Sequence, residues 1–301
     1  MYDLIDLNFQ GHSQAIAGYV VRGPAGVALI ETGPGSTLPT LWAGLATLGV
    51  AAREITDILV THIHLDHAGA AGRLARETGA RVHVHHIGAP HLLDPSKLLA
   101  SAQRIYGPLM QPLWGEFLAV PAGQLRALHD GEVVEAAGLR FTALDTPGHA
   151  YHHMAYLLDG LCFSGDVAGV RLPGHAHIRL PVPPPEIDLP AWRASLARLR
   201  DCRPDRLLLT HFGAVSGPAA AHLDGVAAQL DAYAAFFRPR WQAGETAEMI
   251  TPHFQRWVAE QAATADGDPA AAARYETAVP GYMQAAGMLR YFQKFEADRI
   301  T

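Results

Sequence analysis

One short stretch constrains this chain more than any other. Residues 61–69 read Thr-His-Ile-His-Leu-Asp-His-Ala-Gly and directly follow an apolar run at 55–60 that is typical of a buried strand. Four potential metal ligands lie in this stretch, namely His62, His64, Asp66 and His67. On an extended backbone His62 and His64 point the same way. Asp66 and His67 fall where a small-residue helix begins, so they can turn toward a second point. The stretch therefore predicts two adjacent metal sites.

Three later segments place similar residues at the C-terminal ends of apolar runs. Asp145-Thr146-Pro147-Gly148-His149 follows residues 139–144, Ser164-Gly165-Asp166 follows residues 154–162, and Thr210-His211 follows residues 207–209. The residues and their order resemble the metallo-β-lactamase superfamily over about residues 15–215. The resemblance implies an α/β fold, the four-layer αββα metallo-β-lactamase sandwich.

The resemblance also implies how the ligands are shared between two ions. It assigns His62, His64 and His149 to one ion, Asp66, His67 and His211 to the other, and Asp166 to both as a bridge. Imidazole and carboxylate ligands suit borderline metals. We therefore expect two divalent ions, with Zn favoured and Fe or Mn as alternatives. A metal-bridging hydroxide would attack the substrate, and Asp66 would be catalytic by accepting or relaying a proton.

Two further residues are predicted to orient the ligands. The family usually has Asp-Thr-Gly where this chain has Glu31-Thr32-Gly33, and that acid orients a metal-bound histidine. Because Glu31 is one methylene longer, either the backbone retreats or the contact differs; a solvated loop carboxylate is the alternative. His153 aligns with a family histidine that is not a ligand, while His152 stands where many relatives have Gly.

A loop at residues 168–185 is the predicted substrate-recognition element. It is rich in Pro and Gly and follows Asp166 in the chain. The candidate substrate-binding residues are Tyr151, Arg171, His175, His177 and Arg179. A surface excursion whose charges have no role is the alternative interpretation.

The remaining pattern predicts the domain organisation. Residues 1–217 are predicted to form the metallo-β-lactamase-like domain, with a helical insertion at about 90–122 that either shapes the pocket or simply packs on the sheet. Residues 218–301 are Ala-rich and predict a helical C-terminal subdomain with helices at 219–237, 246–263 and 269–298. This subdomain is expected to help wall the active site.

Bulk properties narrow the partners and the compartment. The net charge is −6 without a basic cluster, which argues against a nucleic-acid partner. Residues 1–6 lack the features of a signal peptide, and no apolar segment approaches the ~18 residues that span a bilayer. With only two cysteines, Cys162 and Cys202, we expect two buried free thiols in a cytoplasmic protein; a disulfide between them is the alternative. Its partner is expected to be a small-molecule substrate, and the helical regions offer a surface for a homodimer.

The function predicted from the sequence is hydrolysis of a small ester-type substrate, with a lactone or carboxylic ester favoured. A phosphodiesterase or phosphotriesterase is the closest alternative, supported by Arg171 and Arg179. An iron-dependent redox enzyme is the third. Diiron relatives commonly carry Glu at the second histidine of the motif, whereas this chain keeps His64.

Overall fold

Six strands in the first half of the chain form one sheet, and their order across the sheet follows the chain. They are β1 Tyr2–Asp6, β2 Ala17–Gly23, β3 Gly26–Ile30, β4 Ile55–Leu59, β5 Arg81–His85 and β6 Leu125–Leu128. Strands β1 to β3 pair antiparallel, whereas β3 to β6 pair parallel. Because β3 and β4 are parallel neighbours, the residues that follow them, Glu31 and Val60, begin at the same edge of the sheet.

The computed structural model describes residues 1–267 and 271–296, and these form two compact units. The first unit contains Met1–Asp145 and His152–Gly165, and the second contains Thr146–Tyr151 and the chain from Asp166 onward. The predicted division after residue 217 is a different partition of the chain and stays a prediction.

Six helices belong to the first unit. They are α1 Leu38–Thr47, α2 Leu65–Ala68, α3 Ala71–Thr78, α4 Ala89–Leu93, α5 Ser96–Tyr106 and α6 Met110–Trp114. In α1 the buried residues Leu41 and Leu45 are four apart, so they share the face that packs on the sheet. Helices α4 to α6 confirm that the insertion at 90–122 is helical. It contributes Trp114, together with partly buried side chains such as Leu98, to the core beside the first sheet.

A second set of strands in the first unit forms an antiparallel meander. Its members are β7 Val133–Ala136, β8 Leu139–Asp145, β9 Met154–Leu158 and β10 Leu161–Gly165. The apolar run 154–162 is therefore a hairpin rather than one strand. Asp159 and Gly160 both have positive φ, 46° and 78°, as a two-residue hairpin turn requires.

The second unit is mainly helical. It contains α7 Leu189–Asp201, the antiparallel pair β11 Arg206–Leu209 and β12 Gly213–Ala214, and then α8 Ala219–Gln242, α9 Ala247–Asp266, α10 Ala271–Ala278 and α11 Gly281–Phe295. Asp188 caps α7 by accepting a hydrogen bond from Ala191 N at 3.0 Å. The helical C-terminal region is confirmed. The segment predicted as its third helix contains two helices, α10 and α11, because Pro280 disfavours helical backbone at Val279. The ends predicted for that helix, Pro269 and Asp298, lie outside the described residues.

The expectation that both cysteines are buried holds for one of them. Cys162 is buried as expected, but Cys202 is exposed. Within residues 1–267 and 271–296, no helix is both long and apolar enough to cross a membrane.

Candidate metal centre

The first histidine pair lies just beyond β4, in the first unit. His62 Nε2 and His64 Nδ1 are 2.9 Å apart, and the two rings meet edge to face. Both side chains point the same way, as the spacing of two residues on extended backbone predicted. Two imidazole nitrogens thus face one small volume.

Asp66 and His67 lie in the short helix α2. His67 is fully buried, and its Nε2 lies 3.6 Å from Asp66 Oδ2. The other ring nitrogen, Nδ1, lies 3.3 Å from Glu31 Oε1. The side chain of Asp66 is 21% exposed, so solvent reaches the predicted proton-relay group while His67 stays covered.

Glu31 is buried beside the ligand stretch rather than solvated. Its Oε1 accepts hydrogen bonds from the hydroxyl of Thr61 and, at 3.3 Å, from the backbone N–H of Thr61. Its φ is +65°, a left-handed conformation that non-glycine residues seldom adopt. Such strain persists only where surrounding contacts enforce it. Glu31 also contacts His67, and its predicted role in orienting a ligand remains a prediction.

His152 and His153 also lie against the histidine pair of the first unit. The His153 ring centroid is 5.0 Å from that of His62. The His152 ring stacks on His62 at 6.0 Å and meets His64 edge-on at 5.5 Å. The sequence assigned no role to His152; its only signal was a histidine where many relatives have Gly.

The second unit holds the other three predicted ligands, with His149 and His211 against the carboxylate of Asp166. His149 Nε2 lies 3.3 Å from Asp166 Oδ2, and His211 Nε2 lies 3.4 Å from Asp166 Oδ1. All three side chains are at least 97% buried. Each oxygen of Asp166 therefore faces a different histidine, as a carboxylate shared between two ions would.

Backbone groups of the second unit contact both histidines, His149 through its ring and His211 through its main chain. His149 Nδ1 donates a hydrogen bond to Pro181 O at 2.7 Å, which leaves Nε2 for a metal. Gly148, at φ +139°, lets this turn pass Trp192, where a Cβ would lie 2.3 Å from backbone. The carbonyl oxygen of His211 accepts the Arg171 N–H at 2.8 Å.

The donor sets fit divalent metal ions. Nitrogen and oxygen ligands about 2.0–2.2 Å from a tetrahedral ion are about 3.4 Å from each other. The Asp166 contacts with His149 and His211, at 3.3 and 3.4 Å, have this spacing. In the first unit the ligand atoms of His62 and His64, of His62 and His67, and of Asp66 and His67 all lie within 4.8 Å. Imidazole and carboxylate at this spacing suit Zn, Fe or Mn.

The predicted substrate-binding residues have other contacts within the second unit. Arg171 Nε donates to His175 O at 2.6 Å, and its Nη1 is 3.4 Å from His222 Nδ1. Tyr151 OH accepts a hydrogen bond from Lys294 Nζ at 3.0 Å, and the ammonium lies over the Tyr151 ring. The structure therefore tethers Arg171 and Tyr151 but leaves their substrate role a prediction.

Arg179 and His177 face the C-terminal helices. Arg179 is 1% exposed, forms an ion pair with Glu276 and lies 5.9 Å from the centroid of the Phe254 ring. His177 is buried and meets the Tyr275 ring edge to face at 5.0 Å. Both side chains are therefore buried rather than part of a surface excursion, and their predicted role in substrate binding stays a prediction.

We expect two buried histidines of the second unit to make stability fall in mild acid. Burial, assisted by Arg179 and Arg171 respectively, lowers the pKa of His177 and of His222 from 6.5 to about 4. Below pH 6.5 the unfolded chain therefore binds protons that the folded chain does not, so stability is full above pH 6.5 and is lost toward pH 4. At pH 5 the loss is about 2 kcal/mol per histidine.

Urea unfolding of the metal-free protein at pH 7.5 and pH 5 measures this loss. His177→Gln and His222→Gln should each lose about 2 kcal/mol less than the wild type between the two pH values. If both variants lost as much stability as the wild type between pH 7.5 and pH 5, these two imidazoles would not be the cause of the loss.

The sequence match to a known family agrees with this geometry. The family model for the metallo-β-lactamase superfamily matches residues 15–211, which include every predicted ligand. The chain belongs to the metallo-β-lactamase superfamily. Its two sheets and many helices form the metallo-β-lactamase fold with a helical C-terminal region, as the sequence predicted.

Relatives within the superfamily carry several descriptions. The metallo-β-lactamase fold-containing protein ST1585 of Sulfurisphaera tokodaii is 32% identical over 166 residues, 54% of this chain and 62% of that protein. Its solved structure superposes with a TM-score of 0.61 at 25% identity, covering 76% of this chain and 85% of that one. A hydroxyacylglutathione hydrolase of Rhodopseudomonas palustris is 30% identical over 142 residues, 47% of this chain and 43% of that enzyme.

Another solved structure is similar to nearly the whole chain. The metallo-β-lactamase family protein TTHA1429 of Thermus thermophilus superposes with a TM-score of 0.66 at 22% identity, covering 97% of this chain and 93% of that one. At this identity the likeness shows the fold alone. The matches to the two curated relatives span less than two thirds of their length.

Proposed function

We propose that this superfamily member is a hydrolase whose two donor sets together hold two divalent ions, with Zn favoured. The observation that carries the proposal is Asp166, a buried carboxylate with a different histidine against each oxygen. In the proposed centre, as the resemblance to the superfamily implies, one ion takes His62, His64 and His149, the other takes Asp66, His67 and His211, and Asp166 bridges the two.

The residues of the chain have distinct tasks in this proposal. Bound divalent ions would supply a water with a pKa of about 7 and would polarise the carbonyl oxygen of a substrate. Pro181 O keeps the proton of His149 on Nδ1, so that Nε2 is the ligand atom. Glu31 holds the His67 ring through Nδ1. Asp66 can accept a proton at its partly exposed carboxylate and pass it to the leaving group.

An acyl substrate is favoured over a phosphate ester. Two curated relatives are named a hydroxyacylglutathione hydrolase and an atrochrysone carboxyl ACP thioesterase, and these names support an acyl substrate. The phosphodiesterase alternative depended on Arg171 and Arg179 as phosphate-binding groups. Arg179 is buried in an ion pair with Glu276, and Arg171 Nε already donates to His175 O, which weakens the support that the two arginines give to this alternative. We therefore propose that the scissile bond belongs to a carboxylic ester, a lactone or a thioester.

A substrate panel tests this proposal. Purified protein of known metal content is assayed with a γ-lactone, p-nitrophenyl acetate, a hydroxyacyl thioester of glutathione and bis(p-nitrophenyl) phosphate. We expect metal-dependent turnover of at least one acyl substrate and none of the phosphodiester. Asp166→Ala, prepared in the same way, controls for contaminating esterases. Turnover of the phosphodiester alone, or of no substrate by metal-loaded protein, would refute the acyl assignment.

A further inference from the structure

Two buried tyrosines of the C-terminal helices bind the backbone of the loop at 168–185. Tyr233, in α8, accepts a hydrogen bond from Leu180 N at 3.2 Å and donates one to Gln284 Oε1 at 2.9 Å. Tyr275, in α10, accepts from Leu172 N at 3.2 Å and donates to His177 O at 2.7 Å. Each hydroxyl both donates and accepts, so its position is fixed from two sides.

Each tyrosine anchors a residue adjacent to one that bonds a predicted ligand. Leu180 precedes Pro181, whose carbonyl oxygen accepts the proton of His149 Nδ1 at 2.7 Å. Leu172 follows Arg171, whose N–H donates to His211 O at 2.8 Å and whose carbonyl accepts from Phe212 N at 3.4 Å. Two short chains of contacts therefore run from the helices to the ligands.

The two anchored points are also tied to each other. Val170 and Arg179 form an antiparallel bridge, with N···O distances of 2.8 and 3.0 Å in the two directions. The stretch between them is a closed excursion that Asp266 holds by accepting from the backbone N–H groups of Ala176 and His177. The loop therefore has little freedom to shift either histidine independently of the helices.

We propose that Tyr233 and Tyr275 are positioning residues for the metal ligands, Tyr233 for His149 and Tyr275 for His211. The inference rests on the proposed function, because it assumes that these histidines bind metal. In that centre the two histidines serve different ions, so each tyrosine controls a different binding step. The loop at 168–185 then acts as a brace between helices and ligands rather than as a reader of substrate.

The hydroxyl groups are in the protonation state that the brace requires. Burial raises the pKa of both Tyr233 and Tyr275 to about 12, so each retains its proton and donates at neutral pH. Tyr→Phe keeps the ring, which in Tyr233 packs edge-on against Phe254 at 5.3 Å, and removes only the hydroxyl. The substitution therefore tests the hydrogen bonds rather than the packing.

The test is Zn²⁺ binding to the metal-free full chain, titrated in competition with a chromophoric chelator. Tyr233→Phe should weaken one of the two binding steps by about tenfold, and Tyr275→Phe should weaken the other by a similar factor. Tenfold is the low end of the effect seen when groups that orient a metal ligand are removed, and it applies because each tyrosine acts through one intervening residue.

Leu230→Ala and Tyr282→Phe are the matched controls. Leu230 is fully buried in α8 and precedes Tyr233 by three residues, so its truncation lowers the melting temperature while both tyrosine hydroxyls stay in place. Tyr282, in α11, is exposed. Both controls should keep the two Zn²⁺ affinities within about twofold of wild type.

The possible outcomes separate the inference from the proposed function. A wild type that binds no Zn²⁺ would overturn both. A wild type that binds two ions, with Tyr→Phe variants that bind equally well, would overturn the brace alone. If Leu230→Ala weakened Zn²⁺ as much as the Tyr→Phe variants, general destabilisation would be the cause and the brace would again be overturned.

Discussion

Replacing Asp166 by Ala is expected to remove most of the bound metal and to lower the hydrolytic rate by at least about 10³-fold. The reason is that one buried carboxylate faces both His149 Nε2, at 3.3 Å, and His211 Nε2, at 3.4 Å. Its loss takes a ligand from both proposed ions and leaves two imidazoles without the anion between them. Metal analysis by mass spectrometry and turnover of the best acyl substrate measure the two effects.

Asp205→Ala is the matched control, because Asp205 is an exposed carboxylate in the same unit. It should retain the metal content and rate of the wild type. Circular dichroism of both variants checks that the fold survives. Asp166→Ala protein with full metal occupancy and full activity would refute the bridging role.

The largest effect on stability is expected from Glu276→Ala, about 3 kcal/mol in the free energy of unfolding. Arg179 is 1% exposed and stays charged, so removing its partner leaves an uncompensated buried cation. Glu276 also accepts hydrogen bonds from Gln255 Nε2 at 3.1 Å and Gly281 N at 2.9 Å. The value is at the low end for a broken buried pair because the side chain of Glu276 is 32% exposed, so water can enter. Urea unfolding measures the change.

An exposed ion pair in the same unit provides the comparison. Arg193 and Asp231 form an ion pair with side chains 40% and 72% exposed, and Asp231→Ala should cost no more than about 0.5 kcal/mol. The double variant Arg179→Met with Glu276→Gln should recover much of the lost stability, because no unpaired charge is then buried. A Glu276→Ala protein as stable as Asp231→Ala would show that the buried pair contributes little.

The geometry of the ligand stretch could be predicted from the sequence because it depends only on neighbouring residues. The two-residue spacing of His62 and His64 is enough to place both rings on one side of an extended backbone, and the structure confirms it. The apolar runs that precede His149 and His211 likewise form the strands β8 and β11. The helical insertion and the helical C-terminal region followed from periodicity.

The surroundings of the ligands were not accessible in this way, because they depend on contacts distant in the chain. The burial of Glu31 depends on its left-handed backbone and on hydrogen bonds that its carboxylate accepts from Thr61, thirty residues away. Arg179 was predicted to read substrate, but its partner Glu276 is 97 residues distant. No spacing rule connects such pairs, and a Pro- and Gly-rich segment gives no period from which a buried side chain could be inferred.

In the proposed brace, the residues that bind metal and the tyrosines that hold them in place lie in different parts of the chain. The family match ends at residue 211, whereas Tyr233 and Tyr275 lie beyond it. Two homologous chains could therefore share every ligand and still differ in metal affinity, if one had lost a single helical hydroxyl. Evolution could adjust how tightly the protein retains its ions, and how readily it exchanges one metal for another, without altering any residue of the motif.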